Sequence, residues 1–130
     1  MDHPNIVKVL EIRETAHFYQ FVYEYATFGT LKDQMFTKGF TENEIKHVMR
    51  QIVYAVNSLH ESHIVHRDLK PDNILVYDMG PKGPGIKINE FHFSTRFDGE
   101  TPTDSLKLKL GSRLFMPPEL IKTEQGKTPD

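Results

Sequence analysis

The sequence predicts an α+β fold, and three observations carry that expectation. Ile6 to Ile12 and Phe18 to Tyr25 are runs of β-branched and aromatic residues separated by Arg13, Glu14, Thr15, Ala16 and His17, the pattern of an antiparallel strand pair. From Thr41 to about Glu61, apolar residues recur at helical spacing, which predicts a long amphipathic helix. Beyond it, the short β-branched runs Ile64-Val65 and Ile74-Leu75-Val76 bracket a loop crowded with charge. Such runs bury themselves and leave the polar residues between them at the edge of a core.

Composition sets the outer bounds. At 130 residues the chain has the size of one domain, able to bury roughly two thirds of its unfolded surface. Sixteen basic residues stand against eighteen acidic ones, for a net charge of -2, with no block of like charge to engage nucleic acid or an anionic membrane. The absence of cysteine excludes disulfides and thiolate metal sites and is compatible with a reducing compartment, so a cytoplasmic location is the default expectation. The amino terminus carries acid and no apolar signal region, and no run approaches the roughly 18 apolar residues of a membrane span. A soluble chain without membrane or nucleic-acid partners is expected.

Along the chain, Gly29 and Thr30 open a helical turn through Met35, with Thr30 as its N-cap. Thr41-Glu42-Asn43-Glu44 fits a capping box, and Ile45, Val48, Met49, Ile52, Val56 and Leu59 form the apolar face of the helix that follows. Asp78 to Gly85 holds three glycines and two prolines, predicting a hairpin with a loose tip before the strand Ile86-Lys87-Ile88. His60, His63 and His66 are regularly spaced, but the helix ends between the first two. The three would not share one face, and a metal site is not expected of them.

The charged loop is the chemical centre of the sequence. Asp68, Lys70 and Asn73 supply a carboxylate, an ammonium and an amide oxygen. These groups can orient a hydroxyl, neutralise a transferring phosphoryl group and ligate a hard cation. His66, Arg67, Asp68, Leu69 and Asn73 match the H-R-D-L-x-x-x-N catalytic loop of protein kinases, and with Lys70 and Pro71 the loop resembles the serine/threonine branch. The resemblance implies a protein-kinase-like α+β fold, present as a partial domain: the hairpin of the family's fourth and fifth strands, the hinge, helix αE, the catalytic loop and the activation segment. It implies that residues 1–25 end the N-lobe and that 26–130 begin the C-lobe. His3-Pro4-Asn5-Ile6-Val7 resembles the segment leaving helix αC, so the Gly-rich loop and strand lysine of the family would lie upstream, and Asp130 resembles the residue opening helix αF.

The roles carried over are those of a kinase that uses ATP and Mg2+ to phosphorylate Ser and Thr of a protein substrate. By resemblance, Asp68 is the catalytic base, Lys70 contacts the γ-phosphate and Asn73 holds magnesium. Tyr23 takes the gatekeeper place, backbone groups of Glu24 and Ala26 meet the adenine edge, and Leu75 lines the floor beneath it. Asn89-Glu90-Phe91-His92 stands where the family has Asp-Phe-Gly, so Glu90 is the second metal ligand. It is one methylene longer than the aspartate, and His92 replaces a conformationally free glycine. In the activation segment, Ser112 takes the usual threonine place near Asp68 and Lys70, Pro117-Pro118-Glu119 replaces Ala-Pro-Glu, and Leu108 stands where a phosphothreonine is common, which leaves Arg67 without that partner. Thr101, Thr103 and Ser105 are out of register. Two functions follow: a serine/threonine kinase, whose 130 residues alone are expected not to transfer phosphate, or a pseudokinase acting as a binding module. Asp68, Lys70 and Asn73 favour the first; Glu90, His92 and Leu108 favour the second.

Overall fold

A computed structural model describes residues 2–97 and 110–122 of the chain. In chain order the elements are β1 (Val9–Glu14), β2 (Tyr19–Tyr23), α1 (Leu31–Thr37), α2 (Glu42–Glu61), β3 (Ile64–Val65), β4 (Ile74–Gly80), β5 (Gly83–Ile88), β6 (Thr95–Arg96) and α3 (Pro118–Lys122). Each sheet is a two-stranded antiparallel pair: β1 with β2, β3 with β6, and β4 with β5. The α+β class expected from the sequence is what the chain adopts. It divides into two compact units, Met1–Ser58 with Pro71–Asn89, and Leu59–Lys70 with Glu90–Asp130.

In the first unit the β1–β2 hairpin closes through Thr15, whose N–H and hydroxyl both donate to the Phe18 carbonyl at 2.9 and 2.8 Å. The first strand starts later than the apolar run suggests. Ile6 and Val7 are buried and pair elsewhere: the Val7 N–H donates to the Ile88 carbonyl at 2.9 Å, and the Ile88 N–H to the Asn5 carbonyl at 2.8 Å. Thr30 caps α1 reciprocally with Asp33, and the helix runs two residues past the expected Met35 because nothing in Phe36 or Thr37 breaks it. At α2, Glu44 Oε2 accepts from the Thr41 N–H at 2.8 Å while the Glu44 N–H reaches Thr41 Oγ1 at 3.3 Å, the capping box that the sequence predicts.

The buried stripe of α2 is narrower than its apolar composition. Val48, Ala55 and Leu59 are buried, whereas Ile45 and Met49 are 48% and 50% exposed. Leu31, Val48, Ile74, Val76 and Ile86 form the core of this unit, with Phe40, Ile52 and Met79 packed against it. Asn5 and Gln51 tie the helix to β5: Asn5 Nδ2 donates to the Ile86 carbonyl at 2.8 Å and to Gln51 Oε1 at 2.9 Å, and Gln51 Nε2 donates to the Pro84 carbonyl at 2.8 Å.

The expected loose tip is instead an ordered hairpin. Gly80 pairs with Gly83, leaving only Pro81 and Lys82 as the turn. The glycines serve close packing. A Cβ on Gly83, which has φ +120, would lie 3.1 Å from Glu44 Cγ, and one on Gly85 would lie 3.2 Å from Asp78 Cβ, so the strand passes against side chains that any larger residue would displace. One extra residue, Tyr77, bulges from β4 between the pairs Val76↔Ile86 and Asp78↔Gly85.

In the second unit the end of α2 is closed by Ser62 and His63, whose N–H groups donate to the Leu59 and His60 carbonyls at 3.0 and 2.9 Å. His63, at φ 56, turns the chain out of the helix in the left-handed conformation. β3 then pairs with β6, Ile64 opposite Arg96 and Val65 opposite Thr95. Pro118 occupies the first position of α3, as its fixed φ and missing N–H suit. Thr101, Thr103, Ser105, Leu108 and Asp130, to which the sequence assigned meaning, lie outside the described residues.

Candidate functional site

The second unit gathers the reactive part of the charged loop around Asp68. Its side chain is only 7% exposed; Oδ1 accepts the Ser112 N–H at 2.7 Å and Oδ2 lies 3.1 Å from Lys70 Nζ. Lys70 Nζ also donates to Ser112 Oγ at 2.5 Å, so the Asp68 carboxylate, the Lys70 ammonium and Ser112, through its backbone N–H and its hydroxyl, form a closed triangle. Ser112 therefore meets both groups assigned to it, with its backbone N–H rather than its hydroxyl on Asp68. The Asp68 N–H donates to Nδ1 of the buried His66 at 3.2 Å, and the His66 ring stands edge-on to Phe91 with centroids 4.8 Å apart. Histidine thus acts here as a brace for the loop backbone.

Two backbone features hold this triangle. Arg67 has φ 67 and its Nε donates to the Phe93 carbonyl, which places the guanidinium against the segment that follows Phe91. Gly111 has φ +104, and a Cβ there would fall 2.4 Å from the Arg67 carbonyl oxygen. The sequence shows Gly111 only as the residue before Ser112; its need to be glycine arises from this long-range contact. We expect Gly111→Ala to cost about 1–3 kcal/mol through positive-φ strain, with the steric clash added. Calorimetry on the full-length protein would show a lowered transition, whereas an unchanged one would mean that the segment moves aside without cost.

Glu90 and His92 form a pair of their own. Glu90 has φ 62, and its Oε2 lies 2.6 Å from His92 Nδ1. Among the described residues, positive φ outside glycine falls on His63, Arg67 and Glu90, so the backbone at His92 is one that any residue adopts. The glycine freedom expected at that position is not used in this conformation. Glu119 stands exposed in the first turn of α3. His60 and His63 face the Phe97 ring edge-on at 6.4 and 5.5 Å, and among the described residues no group of three or more His, Asp or Glu could hold a metal ion.

The first unit holds the other assigned residues. Asn73, buried at the end of the 3-10 turn Pro71–Asn73, accepts the Asn89 N–H at its carbonyl at 2.9 Å. Leu75 lies half-buried on β4 and bridges to Thr30. Glu24 is the centre of a cluster that sequence reasoning missed. Lys87 Nζ contacts its two carboxylate oxygens at 2.6 and 2.7 Å, the Lys8 N–H donates to Oε1 at 2.7 Å, and the Tyr77 hydroxyl donates to its carbonyl at 3.0 Å. Burial acts to raise the Glu24 carboxyl, but the Lys87 and Lys8 hydrogen bonds outweigh it and hold the group below the usual carboxylate range. Burial, with the Glu24 charge beside it, pushes the Tyr77 hydroxyl up to about 12. The bulge in β4 is what aims Tyr77 at this carbonyl, as bulges re-aim side chains. Ala26 is half-buried two residues on.

The carboxamide oxygen of Asn73 and the carboxylate of Glu90 are each a hard oxygen donor of the kind magnesium takes.

Residues 1–130 match the family model for the protein kinase domain. The chain is similar to calcium-dependent protein kinase 5 of Plasmodium berghei, with 36% identity over 100% of this chain and 23% of the relative. It is also similar to the serine/threonine-protein kinase PrkC of Bacillus subtilis, with 38% identity over 92% of this chain and 18% of the relative. Calcium/calmodulin-dependent protein kinase type IV of Mus musculus shares 37% identity over 94% of this chain and 25% of its own length. The chain thus spans between 18% and 25% of the length of these relatives. Among the described residues, no helix is long and apolar enough to cross a membrane.

Proposed function

This chain belongs to the protein kinase family, and from that membership we propose that it serves transfer of the γ-phosphate of ATP to Ser and Thr hydroxyls of protein substrates, as part of a longer kinase domain. Residues 1–25 would end the N-lobe and 26–130 begin the C-lobe. The observation that carries this reading is the Asp68–Lys70–Ser112 triangle, with contacts of 2.7, 3.1 and 2.5 Å. Asp68 is fixed by a backbone N–H on one oxygen, which leaves its carboxylate aimed and ready to orient a substrate hydroxyl and take its proton. Lys70 is positioned to offset charge on the transferring phosphoryl group, and Ser112 supports both. The adenine edge would meet the backbone of Glu24 and Ala26 above Leu75, and Asn73 and Glu90 would supply oxygen ligands. When bound, Mg2+ offsets the charge of the nucleotide phosphates. Arg67, Phe91, Ser112 and Glu119 hold or belong to the activation segment.

A second reading, a nucleotide- or partner-binding pseudokinase, has one observation in its favour: the Glu90 carboxylate is engaged by His92 at 2.6 Å. Radiolabelled ATP with Mg2+, the full-length protein and Ser-, Thr- and Tyr-containing peptides separate the two. Label is expected on the Ser and Thr peptides and not on the Tyr peptide. Protein that binds ATP and labels none of them would establish the second reading.

A further inference from the structure

The first turns of α2 and the turn between β4 and β5 enclose a cleft of about 540 Å3, which the phosphoryl-transfer reading does not use. Lys46, His47, Arg50 and Lys82 line it, with Glu44 as the one carboxylate. That carboxylate is already spent. Its Oε2 accepts from the Thr41 N–H and hydroxyl, each at 2.8 Å, and its Oε1 lies 3.4 Å from Lys38 Nζ. The Thr41 backbone and side-chain hydrogen bonds hold it below the usual carboxylate range. Lys46 is paired with Glu42 at 2.6 Å. Among the described residues, the side chains of His47, Arg50 and Lys82 have no ion-pair or hydrogen-bond partner.

The walls are fixed relative to one another. Gly83 passes within van der Waals reach of the Glu44 backbone, a Cβ there falling 3.2 Å from Glu44 Cα, so the Pro81–Lys82 turn is seated on the first turn of α2. His47 and Arg50, and Lys46 and Arg50, are three and four residues apart and share one flank of the helix. The partial positive charge of the helix start adds to theirs.

We infer that this cleft binds an acidic segment of a protein, a short run of Glu or Asp side chains, with Arg50 and Lys82 as its anchors. The guanidinium fork of Arg50 fits a carboxylate bidentately, and the volume falls in the range of about 300–1,000 Å3 typical of ligand sites. Nucleic acid is the poorer occupant. No Phe, Tyr or Trp side chain among the described residues lines the cleft for base stacking, and a net charge of -2 provides no broad basic face for a phosphate backbone.

The test uses the full-length protein and anisotropy of a labelled Glu-rich peptide, with its Gln-rich counterpart, inorganic phosphate and an RNA oligonucleotide as separate arms. The Glu-rich peptide should bind about tenfold or more tighter than the Gln-rich one, and its affinity should fall as salt rises. Arg50→Gln with Lys82→Gln should weaken it by about tenfold and leave circular dichroism and transfer to an unrelated peptide unchanged, while Arg50→Lys, which keeps the charge but loses the bidentate fork, should weaken it by a smaller factor. Equal binding of the two peptides by the unmodified protein would overturn the inference, whatever the variants do. So would an unchanged affinity in the double variant, competition by free phosphate alone, or preference for the oligonucleotide.

Discussion

Asp68→Asn is expected to lower phosphoryl transfer by the full-length protein by about 10²- to 10⁴-fold, the contribution typical of a positioned general base. The substitution is nearly isosteric. A carboxamide oxygen can still accept the Ser112 N–H that Oδ1 now holds at 2.7 Å, and the backbone N–H still donates to His66 Nδ1, so the loop keeps its shape. What changes is the group facing Lys70 Nζ, now 3.1 Å away: a neutral amide in place of a carboxylate that can receive a proton. The loss should therefore appear in kcat, with the KM for ATP little altered and the thermal transition preserved. Steady-state transfer to a Ser peptide would check this. Retention of more than about a tenth of kcat would place the base elsewhere and leave Asp68 as a structural anchor for Ser112.

How much of this was legible in the sequence follows from the range of the interactions. The capping box of α2 is local, with donor and acceptor three residues apart, and Thr41 and Glu44 showed it directly. The catalytic-loop residues were legible because their types and spacing form one short motif. The β4–β5 tip was not, because Gly83 and Gly85 read as turn residues until Glu44 and Asp78 are seen against them. Gly111 belongs to the same class: its constraint comes from the Arg67 carbonyl, distant in sequence. The cluster on Glu24 draws on Lys8, Tyr77 and Lys87, three separate stretches of chain, and depends on a bulge that no periodicity announces. Ile45 and Met49 lie on the apolar face yet stay exposed, because periodicity reports apolar spacing, and spacing alone does not tell which edge of the stripe a neighbour covers.

The change with the opposite sign is Glu90→Asp combined with His92→Gly, which should raise transfer by up to about a hundredfold, the scale on which a displacement of about 1 Å at a positioned group acts. Two features of the site argue for it. The Glu90 carboxylate is held by His92 Nδ1 at 2.6 Å, and removing the imidazole frees it; the aspartate then carries the oxygens one methylene closer to the backbone. The position itself favours the exchange, since Glu90 sits at φ 62, a left-handed conformation that Asp adopts more readily than most residues. Asp68, Lys70 and Ser112 are untouched, so the gain should appear as a higher rate and saturation at lower Mg2+, and adding Asp68→Asn should abolish it. Transfer would be compared across the wild type, the double variant and the triple variant over a magnesium titration. A fast wild type that the double change does not improve would show Glu90 to be a competent ligand with His92 harmless beside it. No transfer by any of the three, with ATP still bound, would shift the assignment to the binding module, because the restored carboxylate would have met a triangle that does not turn over.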